Sequence, residues 1–229
     1  MRLILSLLGV IVLMQSTFAQ GGLVITEIMA NPSSTRDDVL VNCDEWFEIY
    51  NTGPSSVNLS TIKFDNDSDA SDGEFLSGSV AAGAYAIVGN RNQPTWEAEF
   101  GTLPVGTTYV HVHGAGIDWQ PLANGGGTLT LYDTATTSNF FGLNYGTTTD
   151  GVALQYVGSN PALVSPYVFS PTNWQNATTS PGGNSGDLHS AGVSNINANA
   201  TPEPAAVLLM VISGLALLWS VRSKVGQSV

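Results

Sequence analysis

Asp44-Glu45-Trp46-Phe47-Glu48-Ile49-Tyr50-Asn51 decides how this chain folds. Phe47 and Ile49 alternate with Trp46, Glu48 and Tyr50, a period of two that sends the two sets to opposite faces of a strand. The same alternation recurs at Thr128–Tyr132, where Leu129 and Leu131 alternate with Thr128, Thr130 and Tyr132. Working outward, further strand-like runs fall at Leu23–Ile28, Tyr85–Val88, Thr108–His113, Asn139–Tyr145 and Val152–Val157, with weaker ones at Val57–Leu59 and Ile62–Phe64. Gly, Pro, Asn and Asp separate them. Many short strands joined by turn residues predict an all-β antiparallel sandwich or barrel. One helical turn or two is expected at Pro94–Phe100, where a proline stands near a start and acids follow.

Several of these segments, in order, resemble the lamin tail domain. Leu23-Val24-Ile25-Thr26-Glu27-Ile28-Met29-Ala30-Asn31-Pro32 is similar to its opening strand, Asp44–Asn51 to its second and Val57-Asn58-Leu59 to its third. Ala82–Val88 is similar to a glycine turn leading into a strand, Leu122–Asp133 to its N-x-G…L-x-L-x-D hairpin, and Ser180-Pro181-Gly182-Gly183-Asn184 to its closing turn. Two departures stand out: Leu59-Ser60-Thr61-Ile62-Lys63-Phe64 replaces the usual L-x-G-W, and a long acidic insert follows. The resemblance implies an immunoglobulin-like β-sandwich without catalytic residues, of a kind associated in exported bacterial proteins with adhesion or anchoring.

Both ends read as targeting segments. Arg2, the apolar Leu3–Met14 and Thr17-Phe18-Ala19 form a signal peptide over 1–19, with cleavage by signal peptidase expected between Ala19 and Gln20. Near the other end, Pro202-Glu203-Pro204 precedes an uncharged apolar run of 17 residues, 205–221, and then Arg222 and Lys224. That length reaches the short end of what a transmembrane helix needs, and the basic flank keeps the C-terminus cytoplasmic. The triplet, span and basic stop resemble the PEP-CTERM sorting signal. That resemblance implies recognition by an exosortase, a didermic bacterium that makes extracellular polysaccharide, and an exported protein held at the inner membrane before reaching the surface or matrix. Between the ends lie one domain, 20–183, and a small, polar stretch, 184–201, expected to be a flexible spacer.

Without its two ends the chain keeps 17 acids against three bases, Arg36, Lys63 and Arg91, a net charge near −14. Nucleic-acid binding draws on clustered lysine and arginine, so it is excluded as a function. Cys43 is the sole cysteine, so no intramolecular disulfide forms, and it is expected to be a small residue beside the strand at Trp46.

Four groups of residues invite a chemical reading. Asp65, Asp67 and Asp69, with Asp72, are spaced like calcium-loop ligands, but Ala70 and Leu76 stand where an EF-hand needs glycine and glutamate. A looser calcium site and a solvated acidic hairpin loop are the two readings. His111 and His113 share a strand face and read either as half of a zinc site, with Asp118 a candidate third ligand, or as two exposed histidines. Glu27, Glu45 and Glu48 offer the paired carboxylates of glycoside cleavage, although Glu27 and Glu48 are expected to face solvent or to bond backbone on adjacent strands. Trp96, Trp119 and Trp174 offer a sugar-stacking platform or plain packing. Gly183-Asn184-Ser185-Gly186-Asp187 lacks the strand–turn–helix elbow of a serine hydrolase. The leading expectation is a non-catalytic surface protein associating with extracellular polysaccharide or surface proteins. A carbohydrate-active or metal-dependent hydrolase and a calcium-dependent adhesin are the alternatives.

Overall fold

A computed structural model of the chain describes residues 22–33, 44–67, 73–112, 119–158, 173–180 and 182–193. The signal-peptide segment, Cys43, Asp69, Asp72, His113, Asp118, the 202–229 tail and its apolar span lie outside these residues. Among the described residues no helix is long and apolar enough to cross a membrane.

The architecture is mostly β and sandwich-like. One sheet has six strands in the order β12-β11-β1-β2-β7-β8. These are β1 (Leu23–Met29), β2 (Trp46–Asn51), β7 (Tyr85–Gly89), β8 (Thr108–His111), β11 (Leu154–Tyr156) and β12 (Trp174–Asn176). All neighbours pair antiparallel except β7 and β8, which run parallel. A second sheet of four has the order β10-β9-β4-β5, from β4 (Ile62–Asp65), β5 (Glu74–Phe75), β9 (Gly127–Asp133) and β10 (Ser138–Tyr145). A small pair, β3 (Val57–Asn58) and β6 (Ser79–Val80), completes the set.

The strands expected from the sequence are present, most with ends moved by one or two residues. The parallel pairing of β7 and β8 departs from an all-antiparallel sandwich. The chain between them carries helix α1 (Gln93–Phe100), the crossover that parallel neighbours require. The Asn92 carboxamide caps that helix, accepting from the Thr95 N–H at 3.1 Å. Its first turn carries no acid, so the cap and Pro94, not early acids, set where the helix begins.

Two apolar clusters follow from the two faces of the six-stranded sheet. On the inner face Phe47, Ile49 and Val88 meet Phe64, Leu129, Leu131 and Leu143 of the other sheet. Phe64 lies 5.2 Å from Phe47 and 5.2 Å from Trp119, ring centroid to centroid. On the outer face Met29, Trp46 and Ile87 pack with Trp96 and Phe100 of α1 and with Ala191. A two-layer sandwich would leave that outer face to water. Here α1 and the segment 182–193 cover it as a partial third layer.

That covering corrects the expected domain end. The spacer read from Asn184 onward is, as far as Val193, part of the folded domain. Gly183 lies so close to α1 that a Cβ there would stand 2.1 Å from the Glu99 carbonyl oxygen. From that approach the Asn184 and Ser185 N–H groups donate to Ala98 and Glu99 carbonyls, each at 3.0 Å, closing the helix C-terminus. Leu188 then exchanges backbone bonds with Gly151 and Ala153, and His189 donates to the Thr179 carbonyl at 2.7 Å. Composition alone misread this stretch: small polar residues resemble a linker whether or not their backbone has partners.

Candidate functional site

Glu27 on β1 stands directly opposite Glu48 on β2. A register shift between Ile25 and Glu27 puts Glu27 on the same outer face as Met29. Both glutamates are fully buried, which corrects the expectation that they face solvent. Their bonding partners are not backbone groups of adjacent strands either. Glu27 accepts from the Ser190 N–H and the Ser190 hydroxyl, both at 2.8 Å. Glu48 accepts from the Thr26 hydroxyl at 2.6 Å and from the Gly192 N–H at 2.5 Å. The Ser190 oxygen also lies 2.9 Å from the Gln155 side-chain oxygen. Three of the four donors to the carboxyls therefore come from a segment more than 140 residues further along the chain.

Neither glutamate has an ion-pair partner among the described residues. Burial pushes the Glu27 carboxyl up to about 7, with the Ser190 donors pulling the other way. Burial, and then the charge of Glu27, raises Glu48 well above the usual carboxylate range, opposed by Thr26 and Gly192. Two carboxyls this close in a dry site cannot both ionise freely, so the pair titrates as a unit and holds a proton near neutrality.

Next along the segment, His189 is enclosed by rings. Its imidazole meets Trp46 at 5.6 Å, Phe100 at 5.6 Å and Trp96 at 6.1 Å, edge to face. Burial lowers its pKa to about 4, the Phe100 carbonyl opposing, so the ring is neutral at physiological pH. Nδ1 is the acceptor, taking the Ala191 N–H at 3.3 Å. Carboxylic acids with raised pKa values suit acid–base chemistry. In this closed arrangement, however, the carboxyl oxygens face protein donors, and what they hold is the C-terminal segment.

The other candidates are dispersed. Glu45 is buried and accepts from the Trp119 indole N–H at 2.7 Å and from the Leu122 N–H at 2.8 Å, pinning the loop before β9. Asp44 takes the Arg91 guanidinium at 2.7 Å. Trp96, Trp119 and Trp174 are buried in separate places: on the inward side of α1 beside Phe100, beside Phe47 and Phe64, and against Tyr156. They form no shared platform. Asp65 is buried at the end of β4 and accepts from the Asp67 N–H at 3.2 Å, closing the acidic turn, while Asp67 is exposed. Among the described residues no three His, Cys, Asp or Glu side chains gather as a metal site. His111 is exposed and its Nε2 lies 3.0 Å from the Asn90 carbonyl. Ser185 accepts from the Asp187 N–H, and the Asp187 carboxylate accepts from the Ser33 N–H, so this loop is built as a turn.

Sequence reasoning singled out Glu27 and Glu48 but not Ser190, Gly192 or His189. The available signal was faint: Leu188, Ala191 and Val193 interrupt an otherwise polar stretch.

A mostly β sandwich, opened by the strand pair Leu23–Met29 and Trp46–Asn51, is the class of domain defined here. The sequence matches the Lamin Tail Domain family over residues 16–153, and the chain belongs to that family. The sheets agree with the immunoglobulin-like fold of its members. No curated protein and no solved structure matches the chain. The family match ends at Ala153, so β11, β12 and the covering segment lie beyond it.

Proposed function

We propose that this chain is a non-catalytic, exported surface protein that displays one lamin-tail sandwich and is delivered by a processed C-terminal tail. What carries the reading is one sequence holding both a lamin-tail domain and the run Pro202-Glu203-Pro204, an apolar span and Arg222 with Lys224. A signal peptidase would act between Ala19 and Gln20. An exosortase would then take the tail, held in the inner membrane by residues 205–221, and release the domain to the surface or matrix. The acidity of the exported part favours solubility outside the cell and disfavours nucleic acid. The sandwich would then serve adhesion or anchoring, against extracellular polysaccharide or other surface proteins.

Mass spectrometry of protein released from the cell surface tests this. A mature chain starting at Gln20 and ending near Thr201 is expected. A chain that keeps Val229 would overturn tail processing and leave a membrane-anchored ectodomain. Recovery from the cytosol with Met1 intact would overturn export itself.

A further inference from the structure

We propose that residues Asp187–Val193 are a proton-dependent clasp, closed over the Glu27–Glu48 pair while the pair holds a proton and released when the pair loses it. The argument rests first on geometry. The two glutamates are direct cross-strand neighbours, where like charges repel. Both are fully buried, and each is bound by the same short segment: Glu27 by Ser190, Glu48 by Gly192. No arginine or lysine neutralises them among the described residues, since Arg91 is paired with Asp44. With one proton present, the site holds a single negative charge served by N–H and O–H donors. Once that proton is lost, two charges face each other without water. Opening the segment hydrates both, at the cost of its backbone bonds to Gly151, Ala153 and Thr179 and its contacts with Trp46, Trp96 and Phe100.

The surroundings set where this happens in pH. Thr26 comes from β1, Ile87 of β7 lies across from Glu48, Gln155 comes from β11, and none of the three ionises. Asp187 turns to the Ser33 N–H. The remaining titratable group on the clasp is His189, neutral in its cage of Trp46, Trp96 and Phe100. Below its ordinary value of 6.5 it would gain a proton on release, so acid also favours the open form. The clasp is therefore tightest in mildly acidic solution. Above pH 7 His189 is neutral in both forms and only the carboxyl pair still titrates. One proton then separates closed from open, and the opening constant rises up to about tenfold per pH unit until the pair is fully ionised. On the display reading above, and only there, release has a use. Seven freed residues would add up to about 25 Å of reach between sandwich and tail.

Amide hydrogen exchange on the full-length chain in mild detergent tests the clasp, after correction for the intrinsic pH dependence of exchange. Between pH 7 and 9 the Ser190 and Gly192 amides are expected to lose protection by up to about tenfold per unit, while Phe47 and Ile49 of β2 hold theirs. In Glu48→Gln the repulsion is gone and the slope should vanish above pH 8. A flat wild-type profile, or the same slope in Glu48→Gln, overturns the proposal. Should that variant fail to fold, carboxyl ¹³C titration of the wild type decides: a pair fully ionised below pH 6 overturns the clasp, and one that retains a proton above pH 7 supports it. Loss of a processed tail in cells bears on the display reading and leaves this outcome untouched.

Discussion

The two faces of the six-stranded sheet were built by different means. On the inner face Phe47, Ile49 and Val88 are apolar, alternate strictly, and meet the second sheet. On the outer face Trp46, Glu48, Met29, Glu27 and Ile87 mix the largest aromatic side chain with two acids, yet this face is buried as well. The inner face needs only apolar partners. The outer face needs partners that are apolar above Trp46 and hydrogen-bond donors above the acids, and it obtains them from α1 and from residues 189–192. Polar composition on a strand face therefore does not mark it as solvent-facing when a distant segment carries matching N–H groups.

The most direct way to break this comparison is to truncate one large side chain on each face. Trp46→Ala and Phe47→Ala should each cost about 3–5 kcal/mol in chemical denaturation, because both side chains are wholly buried. A cost below about 1 kcal/mol for Trp46→Ala would mean that the outer covering is loose.

A pH series separates the charged part of the outer face from the apolar part. Glu27 has its pKa raised from 4.5 to about 7, so its stabilising contribution is complete below 4.5 and is lost as pH climbs to 7. His189 has its pKa lowered from 6.5 to about 4, so its contribution is complete above 6.5 and is lost as pH falls towards 4. The two oppose each other over the same range. Replacing His189 with Phe, which suits the aromatic cage, removes one of them. Between pH 4.5 and 7 the unfolding free energy of His189→Phe should then fall more steeply than that of the wild type, by roughly 2 kcal/mol. Parallel curves would show that His189 titrates freely.

A smaller effect tests how the third layer is attached. Gly183 has a φ of 89°, and an added Cβ would press on the Glu99 carbonyl. Gly183→Ala should cost about 1–3 kcal/mol and raise exchange at Asn184 and Ser185 before it affects β2. At the bottom of the scale, Asp67→Ala on the exposed acidic turn should change stability by less than about 0.5 kcal/mol. A larger loss would show that this carboxylate supports the turn, which the inward-facing Asp65 is expected to do alone.

Legibility in the sequence followed the same division. Reading runs of strand-forming residues found β1–β4 and β7–β11, with period-two alternation explicit in β2 and β9. It missed β5, β6 and β12, two- and three-residue strands that exist because a neighbour offers backbone partners. Among the candidate site residues, Glu27 and Glu48 were visible as acids in strands, but their burial was not. Two residues 21 apart in sequence become opposed only through the register of β1 on β2 and the shift between Ile25 and Glu27. The donors that satisfy them are backbone N–H groups, which every residue but proline carries and which leave no trace in composition.

By itself, then, the sequence determined the strand-rich class, membership in the lamin tail family, the acidic balance and the residues that form the inner core. Each is local: a periodicity, a motif or a sum of charges. Only the tertiary structure decided that the domain continues past its closing turn, that the outer sheet face is dry, and that two acids face each other, buried, beneath residues 189–192. Those outcomes depend on which distant backbone groups reach a buried carboxyl, and the energy of that encounter resides in the contact between segments, not in either segment alone.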